Sequence, residues 1–123
     1  MPRLSGLVPV IPVADVDRSI AFYRRLGFTV SHQLELEEGK AGWARIENGT
    51  VALMLAHAET TPAPSSQQMF YLYGAGTLEL WQELTAAGVT CSPIETPLHA
   101  PHGEFRVDDP DGYILMFGHD AGN

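Results

Sequence analysis

The spacing of apolar and polar positions predicts a series of short elements that runs through the chain once and then starts again. Leu7–Val13 (LVPVIPV) is an apolar run holding two prolines. Because proline cannot donate to a ladder, this reads as a strand at a sheet edge or a bend. Ile20, Phe22, Tyr23 and Leu26 follow at helical spacing, with Asp15 or Asp17 placed to cap the helix and Gly27 to stop it. Phe28–Glu35, Gly42–Glu47 and Thr50–Ala56 read as three strands. Asn48-Gly49 joins the last two as a tight hairpin, since the central positions of such a turn favour positive φ.

Residues 58–67 (AETTPAPSSQ) form a Pro/Ser/Thr-rich connector, after which the plan recurs. Met69–Tyr73 is a strand. Leu78, Trp81, Leu84 and Ala87 mark a helix that Gly88 ends. Val89–Glu95 and Gly103–Asp108 are strands, Thr96–His102 is a loop, and Asp109-Pro110-Asp111-Gly112 is a turn into the last strand, Tyr113–Phe117. Counting back from Gly27 and Gly88 sets Val8 opposite Met69; Met54 and Met116 follow their hairpin glycines with a one-residue difference in spacing. The repeat predicts an α+β fold of two βαβββ modules with curled mixed sheets: one domain over residues 1–123, with module 1 at about 4–57, the connector at 58–67 and module 2 at about 68–118.

Two stretches are the most specific part of this layout. One is Val13-Ala14-Asp15-Val16-Asp17-Arg18-Ser19-Ile20-Ala21-Phe22-Tyr23 with Leu26-Gly27-Phe28, and the other is Glu104-Phe105 leading into Asp109-Pro110-Asp111-Gly112. In that order and at those spacings, over nearly the whole chain, they resemble the vicinal oxygen chelate superfamily, which holds glyoxalase I, extradiol dioxygenases and fosfomycin- and bleomycin-resistance proteins. Leu4-Ser5-Gly6-Leu7-Val8-Pro9-Val10 with Asp15-Val16 looks most like the bleomycin-resistance branch. That resemblance implies a homodimer whose N-terminal arm, hinged at Pro9, crosses to the partner, with unaltered drug held in grooves between subunits. It also implies four metal-ligand positions, on the first and last strand of each module, which map here to Val8, Met54, Met69 and Met116. Hard and borderline cations need oxygen or nitrogen donors, and these four side chains supply none. Thioethers suit only a soft ion such as Cu(I), and nothing else in the chain points to copper handling; methionine also fills apolar walls. No metal and no cofactor is expected.

Period-two alternation assigns faces. Val51, Leu53 and Leu55 should pack on the helix, leaving Ala52 and Met54 toward the cup. Tyr113, Leu115 and Phe117 should face the core, leaving Ile114 and Met116 inward. Phe70 and Leu72 likewise turn Met69, Tyr71 and Tyr73 inward. Ala44 and Ile46 pack away from Trp43 and Arg45, and Phe105 and Val107 from Glu104 and Arg106. The expected ligand-binding set is Trp43, Met54, Met69, Tyr71, Tyr73, His102, Glu104 and Met116, an apolar and aromatic cup with a few charges at its edge. Trp43, Tyr71 and Tyr73 would equally suit a dimer interface. Glu104 and Arg106, at i and i+2, would also suit a surface ion pair. His99 and His102 share one proline-bearing loop and could line a pocket mouth, whereas His119 lies in a frayed-looking tail. Cys91 reads as a small buried hydrophobe in mid-strand.

Composition narrows the partners. Seven Lys+Arg against fifteen Asp+Glu give a net charge of −8, which repels a phosphate backbone and attracts a cation. No apolar run approaches the roughly 18 residues of a membrane span, and Met1-Pro2-Arg3-Leu4-Ser5 opens no signal peptide. One cysteine cannot form an internal disulfide. The expectation is a cytoplasmic, dimeric, metal-independent antibiotic-resistance protein that sequesters a cationic or aromatic drug-like compound, with no catalytic residue. The alternatives are an enzyme of the glyoxalase or dioxygenase type with an unconventional or absent metal site, an acid–base isomerase using Glu104 or His102, and a structural module with an empty cup.

Overall fold

The computed structural model describes residues 2–59 and 68–119, so most of the connector and the Asp120–Asn123 tail lie outside the described residues. The chain divides into two compact units, residues 1–61 and 62–123.

The first unit holds β1 (Val10–Val13), α1 (Val16–Arg25), β2 (Thr29–Glu37), β3 (Lys40–Asn48) and β4 (Val51–His57) in a sheet of order β1-β4-β3-β2. β1 runs parallel to β4 at one edge, where a proline costs no ladder bond. The ladder already starts at Pro9, whose carbonyl accepts from the Met54 amide, but Leu4 and Leu7 stay exposed, so the strand is shorter than the apolar run. Asp15 caps α1, its Oδ1 accepting from the Arg18 amide at 3.0 Å. The helix lays Val16, Ile20 and Tyr23 into a core shared with Ile11, Val13, Ala44, Ile46, Leu53 and Leu55. Each Val, Leu or Ile side chain among them contributes about 1.5–3 kcal/mol against the entropy of ordering. Tyr23 meets Phe22 and Phe28 edge-on at 5.1 and 5.5 Å.

Two turns differ from expectation. β2 continues to Glu37, because β3 pairs with it back to Lys40 and satisfies the backbone there. The β3–β4 loop is Gly49-Thr50, one residue later than expected: Asn48 pairs with Val51, and Gly49 takes the positive φ of 60°.

The second unit holds β5 (Met69–Gly74), α2 (Thr77–Ala86), β6 (Glu104–Asp108) and β7 (Ile114–His119), ordered β5-β7-β6 with β5 parallel to β7. Phe105, Val107, Leu115 and Phe117 are buried on one face, with the Phe105 and Phe117 rings stacked at 5.2 Å. Asp109 accepts from the amides of Asp111 (2.8 Å) and Tyr113 (2.9 Å), fixing the turn between β6 and β7.

Val89–Glu95 does not form the expected strand. It runs beside β6 but makes a single isolated bridge, Glu95 to Glu104. Pro93 has no amide hydrogen to give. The Ser92 hydroxyl takes the Arg106 amide (2.7 Å), and the Ser92 carbonyl accepts from the Trp81 indole (2.8 Å), so side chains break the ladder. The module is therefore βαβββ-like, with its third strand reduced to a paired segment. Cys91 sits in that segment, part-buried, where loss of hydration pushes its thiol above the ordinary range. His119 is not in a frayed tail; it closes β7.

Candidate functional site

Burying Phe105, Val107, Leu115 and Phe117 forces their neighbours onto the opposite face of the second sheet. There the register sets Tyr71 beside Met116 and Met116 beside Arg106, then Tyr73 beside Gly118 and Gly118 beside Glu104. A pocket of about 160 Å³ opens where this face lacks a side chain, at Gly118. It is lined by Tyr71, Tyr73, Glu104, Gly118, His119 and the loop residues His99–Gly103.

Its walls are aromatic. Tyr71 and Tyr73 stack with ring centroids 5.9 Å apart and planes 17° from parallel, and His99 meets Tyr71 edge-on at 6.5 Å. His99 Nε2 lies 3.0 Å from Glu104 Oε1; a carboxylate accepts, so the imidazole donates. The Glu104 side chain is only 11% exposed, whereas that of His99 is 63% exposed. On the other side the His102 and His119 rings stand 4.8 Å apart, and the Gly76 amide donates to His119 Nδ1 at 3.3 Å. A neutral His119 therefore carries its proton on Nε2. The Tyr71 phenol is held above the ordinary tyrosine range, first by loss of hydration, then by the negative charge of Glu104 and by Tyr73, so it stays a neutral hydroxyl donor at physiological pH.

Among the described residues, no lysine or arginine lines this pocket. Arg106, next along the same face, does not pair with Glu104: its guanidinium grips Asp108 (Nε to Oδ1 2.7 Å, Nη2 to Oδ2 3.3 Å), which raises the Arg106 pKa.

Of the residues singled out in sequence, Tyr71, Tyr73, His102 and Glu104 come together here, and His99 lines the pocket as its loop position suggested. Met116 is half-buried beside Tyr71 outside the lining, and Met69, at the start of β5, is largely exposed. Trp43 and Met54 belong to the first unit, half-buried on the sheet face away from α1. There Trp43 pairs with Leu34 and Ala56, and Met54 with Arg45 and Val10. Arg45 is engaged by Glu47 at 2.9 Å, and that hydrogen bond holds the Glu47 carboxyl below its usual range. Sequence reasoning missed Gly118 and His119 as lining. Alternation from Met116 would have placed Gly118; nothing local points to His119, whose partner Gly76 is 43 residues away.

Val8, Met54, Met69 and Met116 offer no nitrogen or oxygen donor, and among the described residues no three His, Cys, Asp or Glu side chains are grouped to hold a metal ion. The donor set does not fit a hard or borderline cation. No helix among the described residues is long and apolar enough to cross a membrane.

Comparison with known proteins fits this architecture. Residues 6–117 match the family model described as the glyoxalase/bleomycin resistance protein/dioxygenase superfamily. No curated protein matches the sequence. Among solved structures, a bleomycin-binding protein complexed with bleomycin is 20% identical, with a TM-score of 0.77 over 95% of this chain and 99% of that one. A bleomycin-binding protein from bleomycin-producing Streptomyces verticillus, complexed with copper(II)-bleomycin, is 21% identical, with a TM-score of 0.75 over 98% and 99%. TioX from Micromonospora sp. ML1 is 19% identical, with a TM-score of 0.76 over 94% and 98%.

Proposed function

The chain belongs to the glyoxalase/bleomycin resistance protein/dioxygenase superfamily, and on that footing we propose that it is a metal-independent small-molecule-binding protein. It sequesters a cationic or aromatic drug-like compound without altering it, in the manner of an antibiotic-resistance protein. The observation that carries this reading is a mostly buried carboxylate, Glu104, beside stacked tyrosines in a pocket that no lysine or arginine lines among the described residues. Rings of a ligand would lie on Tyr71 and Tyr73, whose π faces also attract positive charge. The net charge of −8 speeds the encounter with a cation.

The working unit in this reading is one domain of two modules, acting as a cytoplasmic homodimer with its ligand groove at the subunit interface. Exposed Leu4 and Leu7, ahead of Pro9, suit an arm that crosses to a partner, and an edge strand such as β1 suits its exchange. Trp43, Met54, Met69 and Met116 would then contribute to that groove.

Isothermal titration with a metal-free bleomycin-type glycopeptide tests the reading, with measurable heat at micromolar protein as the expected result. No heat removes the bleomycin-type version, and a thermal-shift screen of antibiotics and metabolites then searches for another ligand. Sedimentation giving a monomer near 13.4 kDa at high concentration would remove the dimer.

One observation favours an enzyme instead: Glu104 holds the His99 imidazole as a carboxylate holds a catalytic base. Solvent deuterium exchange into a carbon acid, lost in His99→Gln, would establish that alternative.

A further inference from the structure

We propose that the second-module pocket takes a protonated amine against Glu104, and that proton uptake by the pocket histidines expels it. This rests on the small-molecule-binding reading and adds the ligand's ionic form and a pH control.

A carboxylate that is 11% exposed has lost much of its hydration and needs compensation. A neutral His99 gives it one N–H but no charge, and among the described residues no lysine or arginine lines the pocket. An ammonium group supplies both a positive charge and several N–H donors, and the Tyr71–Tyr73 stack gives its organic part a flat wall.

The same positions hold the competitor. Protonated, His99 becomes the counter-ion of Glu104 at 3.0 Å, and the ligand's charge is no longer needed. Protonation of His102 or His119 adds a like charge to the pocket. In His119 it also removes the acceptor that Nδ1 presents to the Gly76 amide at the start of α2, where Glu79 is the adjacent carboxylate. Among the described residues, the ionisable groups that line the pocket with Glu104 are Tyr71 and Tyr73 from β5, His99 and His102 from the loop and His119 from β7; Glu95 pairs with Glu104 across the isolated bridge, and Arg106, along β6, is committed to Asp108. Imidazole is the side-chain type whose ordinary charge change falls between about pH 5 and 8. Binding of the amine and binding of protons are therefore antagonistic, and by linkage each weakens the other equally.

The test uses 2-phenylethylamine, charged throughout this range, with 2-phenylethanol as its uncharged counterpart, each titrated against the full chain by NMR. The amine should bind at least about fivefold more weakly at pH 5.5 than at pH 8, and the alcohol's weaker binding should not depend on pH. Glu104→Gln should reduce amine binding at pH 8 to the level of the alcohol. His99→Gln, which keeps a donor for Glu104 but cannot charge, should show a smaller ratio between its amine affinities at pH 8 and pH 5.5 than the wild type, whatever its affinity at pH 8. Equal or tighter amine binding at pH 5.5, or full binding by a folded Glu104→Gln, overturns the proposal. Should Glu104→Gln fail to fold, the wild-type comparison of amine and alcohol decides alone. No amine binding at millimolar concentration also overturns it, while a neutral ligand from the thermal-shift screen would leave the binding-protein reading standing.

Discussion

The ring of Tyr73 lies over Gly118 so closely that a Cβ added to the glycine would sit 3.3 Å from the ring's Cε1. The two are register partners between β5 and β7, and Gly118 lies between Tyr73 and Glu104. A side chain here would fill the floor of the pocket. The sheet face of the second unit is hollow because this position is small.

Gly118→Ala should fold normally, because the backbone there is not in the positive-φ region and only the Tyr73 ring has to give way. Urea denaturation should show a change within about 1.5 kcal/mol, the range for a modest overpacking. Binding of an aromatic amine should weaken severalfold as the ring tilts into the pocket. Unchanged affinity in a folded variant would place the ligand elsewhere.

Tyr71 should titrate above the ordinary tyrosine value of 10.0, as read by ultraviolet difference absorbance. Loss of hydration is the larger cause and the charge of Glu104 the second, so Glu104→Gln should bring the midpoint down only part of the way. Above the unfolded value of 10.0 and below the raised folded one, the native state keeps a proton that the unfolded chain releases. The Tyr71 contribution is therefore fully present below pH 10.0 and is lost as pH rises through the folded midpoint.

Asp109 is 5% exposed, and its Oδ1 satisfies two turn amides. Asp109→Ala should cost about 2–3 kcal/mol by leaving those amides without their acceptor. Asp109→Asn retains a carbonyl oxygen and should cost clearly less. Equal losses in the two variants, measured by urea denaturation, would mean that the oxygen geometry is not what matters.

The two faces of the second sheet should respond differently to truncation. Phe105→Ala removes a ring that is 1% exposed and stacked on Phe117, and should cost about 3–5 kcal/mol. Met69→Ala removes a side chain that is 47% exposed and should change stability by about 0.5 kcal/mol or less. Thermal unfolding of the isolated variants compares them directly, and a large loss in Met69→Ala would mean that an intersubunit contact covers this residue.

Much of this protein is written in one dimension. The helical spacing of Ile20, Tyr23 and Leu26, the alternation of Leu53 with Leu55 and of Leu115 with Phe117, and the recurrence of the plan after the connector are local patterns. A helix or strand can bury only one face, so each pattern dictates which side chains turn inward. The same logic put Tyr71, Tyr73 and Glu104 on the face away from the core, where they stand. Local pattern failed at Val89–Glu95, where apolar content suggested a strand but the Ser92 hydroxyl takes the Arg106 amide and Pro93 has no amide hydrogen to continue a ladder.

Partnership was decided only by folding. Glu104 had Arg106 two residues away on its own strand, yet it pairs with His99 from the loop while Arg106 turns to Asp108. His119, at the end of the last strand, accepts from Gly76 and stands beside His102. Alternation fixes the side of the sheet on which a residue stands, because that depends on the pleat of its own strand. Which charge meets which depends on how a loop returns over a neighbouring strand, and that path is set by the packing of the whole unit.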